Sequence, residues 1–183
     1  MKYGLTPDAG IELLADSSLL QSGRPLFVPD WASVMMGTAA VAVRVSRLGK
    51  AIAPQFAHRY WDAYTGCFIS QGIDASGALI DRKALTRAHD AALALGRMQP
   101  KSMLDGTADV RVTLSCGHHE PCSSTLAGFA DLIDQTLSQL SQYMTLKMGD
   151  LLCLSAGAGS PLSIDQVVTV SVNGTETLRT KIK

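Results

Sequence analysis

Hydrophobic and polar residues alternate in several parts of the chain, which predicts β-strands there. Residues 39–47 alternate in this way, with Val41, Val43 and Val45 on one side and Ala40, Ala42 and Arg44 on the other. Residues 110–115 repeat the pattern, and the apolar run 149–155 is typical of a buried strand. Residues 166–182 predict a β-hairpin, because Asn173-Gly174 between two alternating segments suits a type I′ turn.

Other segments carry helical spacing. Residues 53–64 place Phe56, Tyr60 and Tyr64 four residues apart, which predicts a short amphipathic helix. Residues 124–143 predict a longer helix with one apolar stripe, and Ser123, Ser124 or Thr125 can cap its start. The stripe consists of Leu126, Phe129, Leu132, Ile133, Leu137 and Leu140. Residues 82–97 also fit a helix, on which Arg87, His89 and Asp90 are ordinary face residues.

The strands and helices follow one another in an irregular order, without a repeated β-α-β unit. This order predicts an α+β fold that is rich in strand. The chain has 183 residues and no repeat, charge run or low-complexity linker. We therefore expect one domain over residues 1–183.

The balance of charged residues disfavours two classes of binding partner. Sixteen Lys and Arg residues balance sixteen Asp and Glu residues, so the net charge is zero. Nucleic acids and anionic membranes reward an excess of basic residues, and we expect neither as a partner. Low self-repulsion favours oligomers instead. The N-terminal residues lack the apolar core of a signal peptide, so we expect a cytoplasmic protein whose four cysteines stay reduced.

Residues 115–123, SCGHHEPCS, collect four potential zinc ligands, namely Cys116, His118, His119 and Cys122. Structural zinc sites usually pair a C-x₂₋₄-C knuckle with a second ligand pair, and here the two cysteines are separated by five residues. Gly117 and Pro121 are turn residues. A solvated turn is therefore the favoured interpretation and a metal site the alternative. No serine or cysteine carries a local signature of an activated nucleophile.

Two stretches resemble the fumarylacetoacetate hydrolase family. They are PLFVPDWASVMMGTAAVAVRVSRLGKAIAPQFAHRYWDAYT and SQYMTLKMGDLLCLSAGAGSPLSIDQVVTVSVNGTETL. The likeness is to short bacterial members in which a strand ending LGK leads into a helix reading FAHRYYD. It covers roughly residues 16–70 and 124–183. The resemblance implies a β-rich α+β fold with layered mixed sheets and a few short helices, usually in a dimer.

The resemblance also implies a metal site. Members of the family hold Mg²⁺ or Mn²⁺ with a Glu-x-Glu pair on one strand and an Asp on a later strand. Such an ion requires oxygen ligands, and it polarises the oxygens of a 2-oxo acid substrate. Two glutamates two residues apart on a strand point to the same face and can reach one ion.

The aligned positions of this chain lack those carboxylates. The two glutamate positions are Thr38 and Ala40, and the aspartate position is Ile69. The Arg-Asp pair that follows falls near Ile73-Asp74, and the substrate lysine falls on Arg87. The family's Gly-Thr-Pro loop becomes Ser155, Ala156 and Gly157. The N-terminal lid, with its His-x-x-Glu pair, aligns before residue 1.

We therefore expect a member of this family that has lost its metal carboxylates. It would have no metal cofactor and no catalytic residues, and it would serve as a homodimeric scaffold or bind a small anionic ligand. The alternative is a hydrolase, isomerase or decarboxylase acting on 2-oxo acids such as acylpyruvates or oxaloacetate with relocated ligands. A third possibility is a subunit that is active only beside a complete family member.

Overall fold

A computed structural model describes residues 2–6, 10–73, 88–104, 109–157 and 159–183. These residues form two mixed or antiparallel β-sheets, one α-helix and three short 3₁₀ helices. The strands are β1 (Lys2–Thr6), β2 (Gly10–Leu14), β3 (Leu19–Gln21), β4 (Val34–Val45), β5 (Trp61–Ile73), β6 (Leu93–Leu95), β7 (Gln99–Pro100), β8 (Val110–Cys116), β9 (Cys122–Leu126), β10 (Leu151–Ser155), β11 (Ser160–Leu162), β12 (Val167–Val172) and β13 (Thr175–Lys181). The helix α1 spans Phe129–Tyr143. The predicted α+β, strand-rich class is confirmed.

The larger sheet is built around β4. Its strands run in the order β2, β1, β10, β4, β5, β6 and β3, with β11 also pairing with β4 and β7 with β5. The pairs β1–β10 and β3–β6 are parallel, and the other pairs are antiparallel. The strand predicted over residues 39–47 is confirmed, but it begins earlier, at Val34. The buried strand predicted over residues 149–155 is β10, and all five of its residues are buried.

The smaller sheet has the strand order β13, β12, β8 and β9. It contains the predicted hairpin, in which Asn173 (φ 49°) and Gly174 (φ 81°) connect β12 to β13. Positive φ at both turn residues is what a type I′ turn requires, and glycine and asparagine adopt it at low cost. The strand predicted over residues 110–115 is β8.

The main core lies between the two sheets and α1. It consists of side chains from one face of β4, from the facing side of the smaller sheet and from the buried stripe of α1. Within that stripe, Phe129, Ile133, Leu137 and Leu140 are each at most 1% exposed. Four of the six residues of the predicted stripe thus form the inner face of the helix, whereas Leu126 belongs to β9 and Leu132 is 38% exposed. None of the helices in the described parts of the chain is long and apolar enough to cross a membrane.

A second, smaller apolar cluster covers the opposite face of the larger sheet. Successive strand residues point to opposite faces, so the alanines of β4 alternate with the valines that enter the main core. Because both faces are covered, the middle of β4 is buried completely, which explains why its sequence is apolar at consecutive positions. The buried members of this cluster are Leu14, Ala40, Ala42, Cys67, Ile69, Leu93, Leu151 and Cys153.

The helix predicted over residues 53–64 is wrong. A 3₁₀ helix occupies Pro54–Arg59, and β5 begins at Trp61. Tyr64 therefore lies in a strand, where it pairs with Val43 of β4. The aromatic and β-branched residues that follow position 60 favour strand, and pairing along β4 stabilises the extended form more than an isolated short helix could be stabilised.

Two further helix predictions are corrected. The helix expected over residues 124–143 begins only at Phe129, because residues Cys122–Leu126 form β9 and pair with β8. Its N-cap is Gly128 in the left-handed conformation, so the predicted serine and threonine caps are wrong. Of the helix expected over residues 82–97, residues 82–87 lie outside the described ranges. The remainder forms a turn and then β6, which pairs with β5 through Ile69 and Leu93.

Candidate functional site

The three positions that the resemblance aligns with the family's metal carboxylates lie side by side in the larger sheet. Thr38 of β4 is directly opposite Ile69 of β5, and Ala40 is directly opposite Cys67. On the other side of β4, Ser155 of β10 is opposite Ala40. Directly paired strand residues share a face, as do residues two apart on one strand. These five side chains therefore belong to one face of three adjacent strands, which we call the β4 face.

Burial is nearly complete at this face. Ala40 and Cys67 are 0% exposed, Ile69 is 5% exposed and Ser155 is 4% exposed. Thr38 is half-buried. The loop after β10 comes close to Thr38, since a Cβ added to Gly159 would lie 3.3 Å from Thr38 Oγ1. The β4 face is therefore a covered surface of methyl, thiol and hydroxyl groups.

Two cysteines meet over the alanines of β4. Cys67 is opposite Ala40, and Cys153 is opposite Ala42 on the other side of the strand. Burial raises the pKa of the Cys67 thiol well above its ordinary value, and hydrogen bonding with the Cys153 side chain raises it further. Both thiols are 0% exposed. The β4 side of the larger sheet therefore contains two thiols that are excluded from water.

Ser155 adds a polar group without a protein partner. Within the part of the chain that the structure describes, Ser155 Oγ is buried and has no hydrogen-bond partner, and no other buried side-chain oxygen or nitrogen lacks one. A buried hydroxyl without a partner costs roughly 1–3 kcal/mol, so such groups are rare and often mark a ligand position. The Ser155 hydroxyl is on the same face as Cys67 and Cys153.

The donors on the β4 face do not fit Mg²⁺ or Mn²⁺. A hard divalent cation exchanges its water for several anionic or carbonyl oxygens, usually including carboxylates. Here Thr38 and Ser155 offer neutral hydroxyls, and Ala40 and Ile69 offer no donor atom. Over residues 2–6, 10–73, 88–104, 109–157 and 159–183, no group of three or more His, Cys, Asp or Glu side chains is arranged to hold a metal ion.

The other residues of the predicted pocket are placed differently. Ala156 belongs to the main core on the opposite face, and its N–H donates to the Ala39 carbonyl oxygen at 2.8 Å. Gly157 is exposed and has φ 78°. Its conformation and its closeness to Ser124 both favour glycine, because an added Cβ would lie 2.1 Å from Ser124 Oγ. Arg87 and Asp74 lie outside the described residues.

The histidine and cysteine cluster of residues 115–123 forms the turn between β8 and β9. His118 and His119 are exposed, whereas Cys116 is buried and Cys122 is half-buried. Burial raises the pKa of the Cys116 thiol, against the lowering effect of a hydrogen bond with Ser160. The favoured turn interpretation agrees with this geometry.

One serine–histidine pair in the structure is not predicted by the sequence patterns. Ser70 Oγ of β5 lies 3.2 Å from His89 Nε2, and His89 Nδ1 lies 2.8 Å from the Asp90 carbonyl oxygen. The Trp31 ring packs edge-on against the imidazole, with the ring centroids 5.9 Å apart. The helix predicted over residues 82–97 places His89 on an ordinary helix face, and that prediction brings His89 into no contact with β5.

The geometry of this pair suits an anchor better than a nucleophile. Ser70 is 0% exposed, and its hydroxyl also donates to the Ala92 carbonyl oxygen at 3.1 Å. The Ser70 backbone N–H donates to the same carbonyl oxygen at 2.7 Å. Ser70 follows Ile69 in the strand and therefore points away from the β4 face. The contacts hold the turn before β6 against β5.

A pocket of about 310 Å³ lies beside the second apolar cluster. Among the described residues, it is lined by Leu13, Leu14, Ala15 and Asp16. Leu14 also belongs to the apolar cluster that contains Ala40 and Cys67. Through Leu14, the pocket therefore borders this cluster.

Comparison with known proteins identifies the fold. No family model and no curated protein matches the chain. Several solved structures do match it. Fumarylpyruvate hydrolase from Pseudomonas aeruginosa, solved in complex with Mn²⁺ and pyruvate, superposes with a TM-score of 0.82 at 13% sequence identity. The match covers 99% of this chain and 88% of that one. The 5-carboxymethyl-2-hydroxymuconate delta-isomerase from Mycobacterium smegmatis gives a TM-score of 0.77 at 19% identity, over 98% and 71%.

A fumarylacetoacetate hydrolase family protein from Yersinia pestis CO92 is similar too, with a TM-score of 0.79 at 15% identity, over 100% of this chain and 91% of that one. The fold of this chain is thus the fold of the fumarylacetoacetate hydrolase family, as the resemblance implied. The structures that share it include isomerases and hydrolases of acylpyruvate-like compounds. At these levels of identity, the likeness concerns the fold.

Proposed function

We propose that this protein has the fumarylacetoacetate hydrolase fold without a site for a hard divalent cation, and that it is a scaffold or small-ligand binder. One observation carries the proposal. The three positions that align with the metal carboxylates are adjacent in the sheet, so one ion would have to be held by Thr38, Ala40 and Ile69. Two of these side chains have no donor atom.

The energetics support the same conclusion. Removing water from a divalent cation costs far more than one neutral hydroxyl returns, and carboxylates normally supply the difference. The neighbouring groups on the β4 face are the thiols of Cys67 and Cys153 and the hydroxyl of Ser155. Magnesium and manganese bind thiols poorly, because these ions prefer oxygen ligands. Without that ion, a 2-oxo acid would lose the polarisation that the family's chemistry uses.

The ligand we propose is a small anion. The described lining of the 310 Å³ pocket contains the carboxylate of Asp16, which repels an anion, so we propose the unpartnered Ser155 hydroxyl of the β4 face as its donor. The assembly we propose is a homodimer, which a net charge of zero favours because it leaves little repulsion between copies. Sedimentation velocity at several concentrations tests the dimer. A single monomeric species throughout would contradict it.

Isothermal titration with Mn²⁺ tests the central claim. We expect no heat of specific binding at concentrations that saturate the Pseudomonas aeruginosa fumarylpyruvate hydrolase, a control protein solved with Mn²⁺. A panel of acylpyruvates and oxaloacetate, assayed with Mn²⁺ present, should show no turnover above buffer. Micromolar Mn²⁺ binding at Thr38, Ala40 and Ile69 would refute the proposal.

The alternative is an enzyme that acts on 2-oxo acids with relocated ligands. The solved structures that share the fold favour it, because they include a hydrolase bound to Mn²⁺ and pyruvate. Asp16 is a carboxylate that lines the pocket beside Leu14. Turnover that EDTA abolishes and Mn²⁺ restores, and that Asp16→Asn removes, would establish this alternative.

A further inference from the structure

Cys67 and Cys153 are separated by 85 residues of sequence but belong to one buried cluster. The strand between them, β4, presents only the methyl groups of Ala40 and Ala42 at the paired positions. A larger side chain at either position would stand between the two thiols. The small residues on β4 therefore allow the cysteines of β5 and β10 to interact across it.

The surroundings of this pair exclude water and competing ligands. Both cysteines, both alanines and Leu93 are 0% exposed. Burial raises the pKa of the Cys67 thiol, and the nearby Cys153 side chain raises it further. The two thiols share one buried cluster, and neither is part of a disulfide.

Ser155 supplies an independent sign of a missing ligand. It lies two residues from Cys153 on β10 and shares its face, 4% exposed and without a hydrogen-bond partner. In the structure neither sulfur accepts a hydrogen bond from it. Once a cation converts the thiols into thiolates, the Ser155 hydroxyl can turn toward a sulfur, because a charged acceptor binds a donor more strongly than a neutral thiol does. The pair and the hydroxyl together form a polar spot inside an apolar cluster.

We propose that Cys67 and Cys153 are the ligands of a buried site for a soft monovalent cation such as Cu(I), with the Ser155 hydroxyl donating to a coordinated sulfur. This proposal rests on the proposed function, since carboxylates around a hard ion would occupy the same space. On binding, each thiol loses its proton and each sulfur forms one bond to the cation. The complex has one net negative charge, two protons are released, and no oxidation occurs.

The ligand count decides which cation fits. Zinc takes four ligands in a tetrahedron, and around Cys67 the described residues provide no third His, Cys, Asp or Glu. Thiolates select soft ions, and Cu(I) is stable with two of them in a linear arrangement. The other two cysteines are poorer candidates, because Cys116 belongs to the main core and Cys122 is half-exposed.

An anaerobic titration of the reduced protein with Cu(I), in competition with bicinchoninate, tests the site. We expect one Cu(I) per chain in the wild type and at least a tenfold loss of affinity in Cys67→Ala and in Cys153→Ala. The matched control Cys116→Ser/Cys122→Ser should bind as the wild type does. Ser155→Ala should bind several-fold more weakly. Circular dichroism and the urea midpoint establish that each variant is folded.

X-ray absorption on the Cu(I)-loaded wild type gives a result that needs no variant. Two sulfur ligands and no nitrogen or oxygen ligand are expected. A spectrum with histidine nitrogen, or binding that is lost in Cys116→Ser/Cys122→Ser but kept in Cys67→Ala, would overturn the assignment. If neither Cu(I) nor Mn²⁺ binds, the dithiol site is wrong and the proposed function stands. If Mn²⁺ binds to the β4 face, the proposed function is wrong as well.

Discussion

Placing one carboxylate on the β4 face should destabilise the protein in a pH-dependent way. The substitution is Ala40→Glu, at a position that is 0% exposed and paired with Cys67 and Ser155. Arg44, on the same face of β4 four residues along, is already bound to Asp62, with 2.8 Å between Nη2 and Oδ2. The new carboxyl group would therefore be buried beside thiols and methyl groups without a cation.

The size of the effect follows from the pKa of a buried carboxyl group. Glutamates buried in apolar sites have reached a pKa of about 8–9, compared with about 4.3 in an unfolded chain. The folded pKa is raised, so folding favours the protonated form and stability falls as pH rises above the unfolded value. Each pH unit in this window costs about 1.4 kcal/mol, which gives a penalty of about 1 kcal/mol at pH 5 and about 3.5 kcal/mol at pH 7.

Urea unfolding at pH 5 and pH 7 measures this difference, with Ala40→Gln as the control. Glutamine has nearly the same size as glutamate and does not titrate, so both variants share the cost of overpacking. The free energy of unfolding of Ala40→Glu should fall between the two pH values by about 2.5 kcal/mol more than that of Ala40→Gln. Adding Mn²⁺ should not recover it.

A pH dependence equal to that of Ala40→Gln would refute the reasoning, because it would mean that the new carboxyl group reaches water or a cation. Recovery of stability with Mn²⁺ would refute it differently, by revealing other oxygen ligands around this position. The triple variant Thr38→Glu/Ala40→Glu/Ile69→Asp separates these cases. If the three positions share one face as described, this variant should gain stability from Mn²⁺.

Two predictions concern the framework that supports this face. Trp61→Phe removes the 2.7 Å hydrogen bond from Trp61 Nε1 to Asp134 Oδ1, which should lower the free energy of unfolding by about 2 kcal/mol in urea titrations; an unchanged midpoint would contradict it. Gly96→Ala should cost about 3 kcal/mol, because the added Cβ would lie 2.6 Å from the Gly66 carbonyl oxygen and 2.7 Å from that of Thr177. In the control Gly128→Ala, no atom lies within 4 Å of the added Cβ, so the free energy of unfolding should fall by only about 1 kcal/mol because of the positive φ. Equal losses of stability in the two variants would show that crowding is not the cause.

The sequence determined the elements whose signal is local. The alternation in β4 and β8, the Asn173-Gly174 turn and the stripe of α1 each reflect one buried side of one segment, and a single segment is enough to show it. The fold class followed from these elements and from the resemblance. The same resemblance placed Thr38, Ala40 and Ile69 at the aligned metal positions, and the sheet register brings them together.

The tertiary structure decided what depends on pairing between distant segments. Residues 61–64 and 122–126 are strands because β4 and β8 offer them a partner, and this partner outweighs a weak helical spacing. The meeting of Cys67 and Cys153, and of Ser70 and His89, likewise depends on register and on which turns close where. Local periodicity reports only that one side of a segment is buried. Which side chains share that buried space is set by the pairing energy of the whole sheet.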